Sequence, residues 1–122
     1  MRSETIAKEM MLNLILQGEG VTIEFKECKN EVASEVYPTV CSFSNRFGGH
    51  ILMSVADNGE IIGVNPNTVK DIRKNFSNML NNPQKISPTL YLSAEEVEMD
   101  GKIILYVYTE KFSGSHLQQD YL

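Results

Sequence analysis

The sequence contains no tryptophan, two cysteines, two histidines and four prolines, and each scarcity closes off a class of protein. Cys28 and Cys41 stand too far apart for a CxxC motif, and no further side chain completes a metal-ligand spacing. A disulfide-built scaffold or a zinc ribbon is therefore excluded, and the pair reads as free thiols in a reducing compartment, which places the chain in the cytoplasm. No apolar run approaches the roughly 20 residues that span a bilayer. The longest near the start, Met10 to Leu16, is interrupted by Asn13. It follows Glu4 and Glu9, so it lacks the basic flank of a signal peptide. Neither a membrane span nor a membrane partner is expected. GxGxxG, P-loop, HExxH and GxSxG motifs are absent. His50 and His116 are isolated, so Ser-His-Asp catalysis has no support. The net charge of −5 and a pI near 5.0 exclude nonspecific polyanion binding by bulk charge.

What is present is a globular mixture, 42% hydrophobic and 22% charged, in 122 residues. That length suits one domain. Ser3 is a candidate cap for a helix running to about Gln17, with Ile6, Met10 and Leu14 as an apolar stripe flanked by Met11 and Ile15. Val21 to Lys26 alternates, with Val21, Ile23 and Phe25 on one face and Glu24 and Lys26 together on the other. A second helix ends near Arg46 after placing Pro38 in its first turn. Val36, Val40, Cys41 and Phe43 form its inner side, and Gly48-Gly49 stops it. Ile51 to Val55 reads as a central strand. Asn58-Gly59 predicts a type I′ hairpin to a partner strand at Glu60 to Val64. A third helix covers about Thr68 to Leu80 and buries Val69, Ile72, Phe76 and Leu80. Strands follow at Leu90 to Leu92, Glu95 to Met99 and Lys102 to Tyr108, with a turn at Asp100-Gly101. Phe112 to Leu122 is polar and without pattern. The expected fold is α/β (α+β): a mixed sheet of about six strands with about three helices packed on it. The chain reads as a single domain, 1–122, forming the N-terminal piece of a longer protein with further domains after it.

Three groups of residues could carry chemistry. Glu19, Glu24 and Lys26 suit a metal-dependent nuclease, in which carboxylates hold a divalent cation and a lysine orients water or phosphate. The same alternation also describes an ordinary exposed strand face. Asp57 precedes the Asn58-Gly59 turn. It is either a turn residue or a third carboxylate that, with Glu19 and Glu24, would suit Mg²⁺ or Mn²⁺. Finally, Asn45 and Arg46 close the second helix and could meet phosphate. Lys26, Lys29, Arg46, Lys70, Arg73 and Lys74 either form a local basic face or are scattered solubilising charges. Tyr91, Tyr106 and Tyr108 lie on strands, as base-stacking residues or as core and edge residues.

The order of these pieces is a series: Gly18-Glu19-Gly20, Glu24-Phe25-Lys26, Ser42-Phe43-Ser44-Asn45, Gly48-Gly49-His50-Ile51-Leu52, Val55-Ala56-Asp57-Asn58-Gly59 and Ile62-Gly63-Val64. It resembles the Schlafen/AlbA-like DNA-binding domain of bacterial transcriptional regulators and RecG-helicase-related proteins, over roughly residues 15 to 110. The resemblance departs at Ala56, where many relatives carry an acid, and at Ser42 and Ser44, which replace alanines. It implies a bacterial nucleic-acid-binding module, with DNA or RNA as partner and Lys26, Asn45, Arg46, Arg73 and Lys74 toward phosphates. It also implies an alternative, a Schlafen-like endoribonuclease with Glu19, Glu24 and Asp57 as Mg²⁺ or Mn²⁺ ligands and Lys26 as the phosphate or water-orienting group. A non-catalytic module that forms homo-oligomers through exposed sheet edges is the third expectation.

Overall fold

The computed structural model describes residues 2–112 and 118–119, with side chains from 6 to 112. Its elements run α1 (Arg2–Gln17), β1 (Ile23–Lys26), α2 (Val36–Asn45), β2 (Gly49–Met53), α3 (Val69–Leu80), β3 (Ile86–Ser87), β4 (Glu95–Met99), β5 (Lys102–Thr109) and β6 (Gln118–Gln119). Four strands form a mixed sheet in the order β1-β2-β5-β4, and β3 pairs with β6 in a second, two-stranded sheet. β1 and β2 are parallel, joined by the α2 crossover, while β2-β5 and β5-β4 are antiparallel. The α/β class, three helices and mixed sheet agree with the pattern read from the sequence.

Strand alternation divides the core between two faces of the main sheet. Ile51, Met53, Leu105 and Val107 pack with Val36, Val40 and Phe43 of α2 and with Ile72, Phe76 and Leu80 of α3. On the other face Ile23, Phe25, Leu52, Val97 and Ile104 pack under Met11 and Leu14 of α1. Because β2 is covered on both faces, its apolar run is continuous, whereas β4 alternates charged and apolar residues.

Several expected details are corrected. α1 begins at Arg2, so Ser3 lies inside the helix and is not its cap. Its buried stripe runs through Met11 and Leu14, and Ile6 is 60% exposed. Val21 precedes β1 and is 67% exposed, because the chain only joins the sheet at Ile23. The segment 60–64 is not a strand; it makes one isolated bridge, Val55 to Ile61. Nor is the Asn58-Gly59 turn type I′, since only Gly59 (φ 89°) has a left-handed backbone there. Gly59 N–H bonds the Ala56 carbonyl at 2.8 Å, and Asn58 Oδ1 accepts from Glu60 N–H at 2.9 Å. The side chain of Asn58 therefore holds the turn that positive backbone angles were expected to hold. The type I′ turn occurs instead at Asp100 (φ 53°) and Gly101 (φ 77°), between β4 and β5. Leu90 to Leu92 is irregular and tied to α3: Leu90 N–H bonds Leu80 O, and Ser77 Oγ bonds Leu92 O. The short strands β3 and β6 were not expected.

Two adjacent glycines fix the entry to β2. At Gly48 (φ 77°) an added Cβ would lie 2.6 Å from the Thr109 carbonyl oxygen, and at Gly49 it would lie 2.5 Å from the Phe43 ring. A backbone atom cannot give way as a flexible side chain can. Gly48→Ala should therefore lower stability by about 2 kcal/mol or more in chemical denaturation, combining positive φ with overpacking. Gly20→Ala, where nothing lies within 4 Å, should leave the midpoint unchanged or slightly raised.

Candidate functional site

The residues singled out from the sequence fall at different places around β2. At its C-terminal end, Ser54 leaves the strand with a left-handed backbone (φ 76°) although it is not glycine and is fully buried. It is held from every side. Ser54 N–H bonds the Lys26 carbonyl at 2.7 Å, its own carbonyl accepts from Ile62 N–H at 2.9 Å, and its Oγ bonds the Ile103 carbonyl at 2.9 Å. Such over-determination maintains a strained residue, and it sends the chain into the turn that carries Asp57.

Glu19 reaches the same region from the loop after α1. Its Oε1 accepts the Phe25 N–H at 3.1 Å, closing the outer edge of β1 together with Gly20 N–H to Ile23 O at 2.9 Å. Burial pushes the Glu19 carboxyl above its ordinary value, and the Phe25 N–H opposes that rise. The neighbouring charges of Glu24 and Asp57, and a side-chain hydrogen bond with Asp57, add to it. The structure thus brings Glu19, Glu24 and Asp57 together, although they come from three separate segments. Glu24 Oε1 lies 3.3 Å from Lys26 Nζ on the same strand face. Among the described residues, no three His, Cys, Asp or Glu side chains are placed to hold a metal ion. The three carboxyls form a close acidic group and not a ready-made cation cage.

The five residues expected to face phosphate are not brought together. Lys26 sits beside the acidic group. Arg73 braces the segment before β4, donating from Nε to the Ala94 carbonyl and from Nη1 to Glu96 Oε2, both at 2.8 Å. Lys74 is exposed on α3. Asn45 and Arg46 lie at the end of α2, next to the N-terminal end of β2 and so at the opposite end of that strand from Asp57.

That N-terminal end carries a group the sequence reading did not assemble. His50 of β2 pairs across to Tyr108 of β5, and Tyr106 lies two residues along on the same face. His50 Nδ1 and Tyr106 Oη are hydrogen-bonded at 2.7 Å. The ring centroids of His50 lie 5.9 Å from Tyr106 and 5.1 Å from Tyr108. Burial lowers the His50 pKa and pushes the Tyr106 phenol up to about 12. α1 packs over the Leu52, Val97 and Ile104 part of this face, and Tyr108 remains 48% exposed. Phe47, in the turn before β2, is 72% exposed. The chain after β5 passes the same turn: an added Cβ at Gly48 would lie 3.1 Å from Lys111 N. Arg46 and Lys111 are exposed, and neither forms an ion pair among the described residues. The available signal was the period-two placement of Tyr106 and Tyr108, but pairing with His50 spans 56 residues of sequence.

A sequence model described as Schlafen, AlbA_2 matches residues 19–121. The chain belongs to this family. Among solved structures, the Schlafen, AlbA_2 domain is similar to the N-terminal domain of an ATP-dependent DNA helicase RecG-related protein from Nitrosomonas europaea. That match has a TM-score of 0.63 and 20% identity, over 83% of this chain and 72% of the other. It is also similar to the DIP2311 protein from Corynebacterium diphtheriae, with a TM-score of 0.57 and 17% identity, over 92% of this chain. The domain spans 27% of that longer chain. At these identities the likeness is one of fold. No curated protein sequence matches the chain. Among the described residues, no helix is long and apolar enough to cross a membrane.

The acidic group has a measurable consequence. A carboxyl whose folded pKa is raised binds its proton more tightly in the folded state, so it lowers stability as pH rises from about its ordinary 4.5 upward. Glu19→Gln keeps an oxygen for Phe25 N–H and removes the charge. Its thermal midpoint should equal or exceed the parent's at neutral pH, and any advantage should vanish near pH 4, where the parent carboxyl is protonated in both states.

Proposed function

We propose that the domain binds nucleic acid at the N-terminal end of β2, as part of a bacterial regulator or helicase-related protein. The observation that carries this reading is the half-exposed Tyr108 ring beside His50, with exposed Arg46 and Lys111 in the chain segments that adjoin these strand ends. Aromatic rings on an open sheet face accept stacked bases whatever their sequence, and nearby cations meet the phosphates. Family membership and the helicase-related structural neighbour support the same class of partner.

Fluorescence anisotropy with labelled DNA and RNA oligonucleotides over a salt series tests it. Binding should weaken with salt. Tyr108→Ala should cost about tenfold in affinity, within the range for losing one stacked base. Arg46→Gln should lower the salt slope by about one. Lys74→Gln, on α3, should change neither. Absence of binding to every oligonucleotide at low salt would overturn the proposal.

A second reading, metal-dependent phosphodiester cleavage, is supported by the convergence of Glu19, Glu24 and Asp57 beside Lys26. It requires the acidic group to rearrange around Mg²⁺ or Mn²⁺, since as placed it offers no cage. A cleavage assay on structured RNA and single strands with either cation should then give products that Glu24→Ala abolishes. Equal cleavage by Glu24→Ala would exclude this reading while leaving binding intact.

A further inference from the structure

The main sheet has two edges, and they are managed differently. The outer side of β1 is closed by its own chain through Gly20 and the Glu19 carboxylate. β4 ends the sheet on the other side, and no described backbone group bonds its outer side. The two-residue turn makes Met99 and Lys102 a hydrogen-bonded pair, so Val97 and Glu95 also bond β5. The N–H and C=O groups of Glu96 and Glu98 therefore point out of the sheet. A groove of about 560 Å³ runs along this edge, lined by Ala7 and Lys8 of α1, by Val97, and by Glu95, Glu96 and Glu98.

From this open edge and its charge, we infer that β4 is a docking strand for an extended, basic peptide segment of a partner protein, which joins the sheet by strand addition. A second copy of this chain is disfavoured as the occupant. Antiparallel self-pairing about Val97 would set Glu96 of one copy opposite Glu98 of the other, twice. Sliding by two residues sets Glu96 against Glu96 or Glu98 against Glu98. Like charges directly opposite destabilise a ladder. A segment alternating Lys or Arg with apolar residues meets the opposite situation. Its cations lie over Glu96 and Glu98, on the face where Arg73 already pairs with Glu96, and its apolar side chains lie beside Val97 and Ala7. Backbone bonds supply the attachment and the alternation supplies the register.

The probe is a labelled decapeptide alternating Lys and Val, followed by anisotropy and by amide exchange of the full chain. Saturable binding with slowed exchange at Glu96 and Glu98 is expected. N-methylation of the peptide's edge-facing amides should abolish it, and Glu98→Lys, at an exposed position, should weaken it about fivefold. Equal binding of the N-methylated peptide would reduce the effect to simple charge attraction and overturn the inference. So would absence of binding, or a dimer of the parent chain alone in which the Glu96 and Glu98 amides are already protected from exchange.

Discussion

The structure depends on one strand, β2, which is paired on both sides and buried on both faces. Its parallel pairing with β1 obliges the chain to cross over, and α2 is that crossover. Its antiparallel pairing with β5 brings residues 102–109 across from a distant part of the sequence. Both ends of β2 are set by backbone conditions that ordinary residues resist. Gly48 must approach the Thr109 carbonyl more closely than any Cβ allows, and Ser54 must hold a left-handed angle through bonds from three elements. The positions of Asp57 at one end and His50 at the other are therefore consequences of core geometry.

These two ends differ in chemistry. The C-terminal end gathers three carboxyls with Lys26. A polyanion is repelled there unless a proton or cation intervenes. At the N-terminal end stand the His50, Tyr106 and Tyr108 rings, with Glu95 across from Tyr106 and exposed Arg46 and Lys111 in the adjoining segments. Desolvation lowers the His50 pKa and raises that of Tyr106, and the hydrogen bond between them fixes the ring on which Tyr108 leans. The distinction explains why binding and cleavage are separable readings of one domain.

Much of the fold was legible because apolar periodicity survives wherever a face is buried continuously. α2, α3, β4 and β5 follow it closely, and the inner sides of α2 and α3 contain the residues expected. The failures share a cause. Ile6 and Val21 are apolar but sit where α1 and its following loop clear the sheet, and no local pattern marks that clearance. Asn58-Gly59 has the composition of a type I′ turn. The segment after it is drawn away by Ile62 N–H bonding back to Ser54, so no partner strand forms. Asp100-Gly101 has the weaker composition but lies between strands that do pair, and tertiary context imposes the positive angles. For the candidate site, the chemistry of Glu19, Glu24 and Asp57 suggested a carboxylate group and the resemblance supported it, but no spacing marks that three separate segments meet. The His50 group was illegible because its pairing is long-range.

A net charge of −5 opposes the proposed nucleic-acid binding only if charge is treated as uniform. Two groups of acids have a defined place in the fold. Glu19, Glu24 and Asp57 cluster at the C-terminal end of β2, where Glu24 pairs with Lys26. Glu95, Glu96 and Glu98 line an edge that would otherwise be open to pairing with any copy of itself. Arg46 and Lys111 lie at the end of the sheet that carries the His50, Tyr106 and Tyr108 rings, with Glu95 across from Tyr106. Electrostatic attraction to a polyanion decays within about 10 Å in ordinary salt, so the local balance governs contact, and the overall charge instead keeps copies of the chain apart.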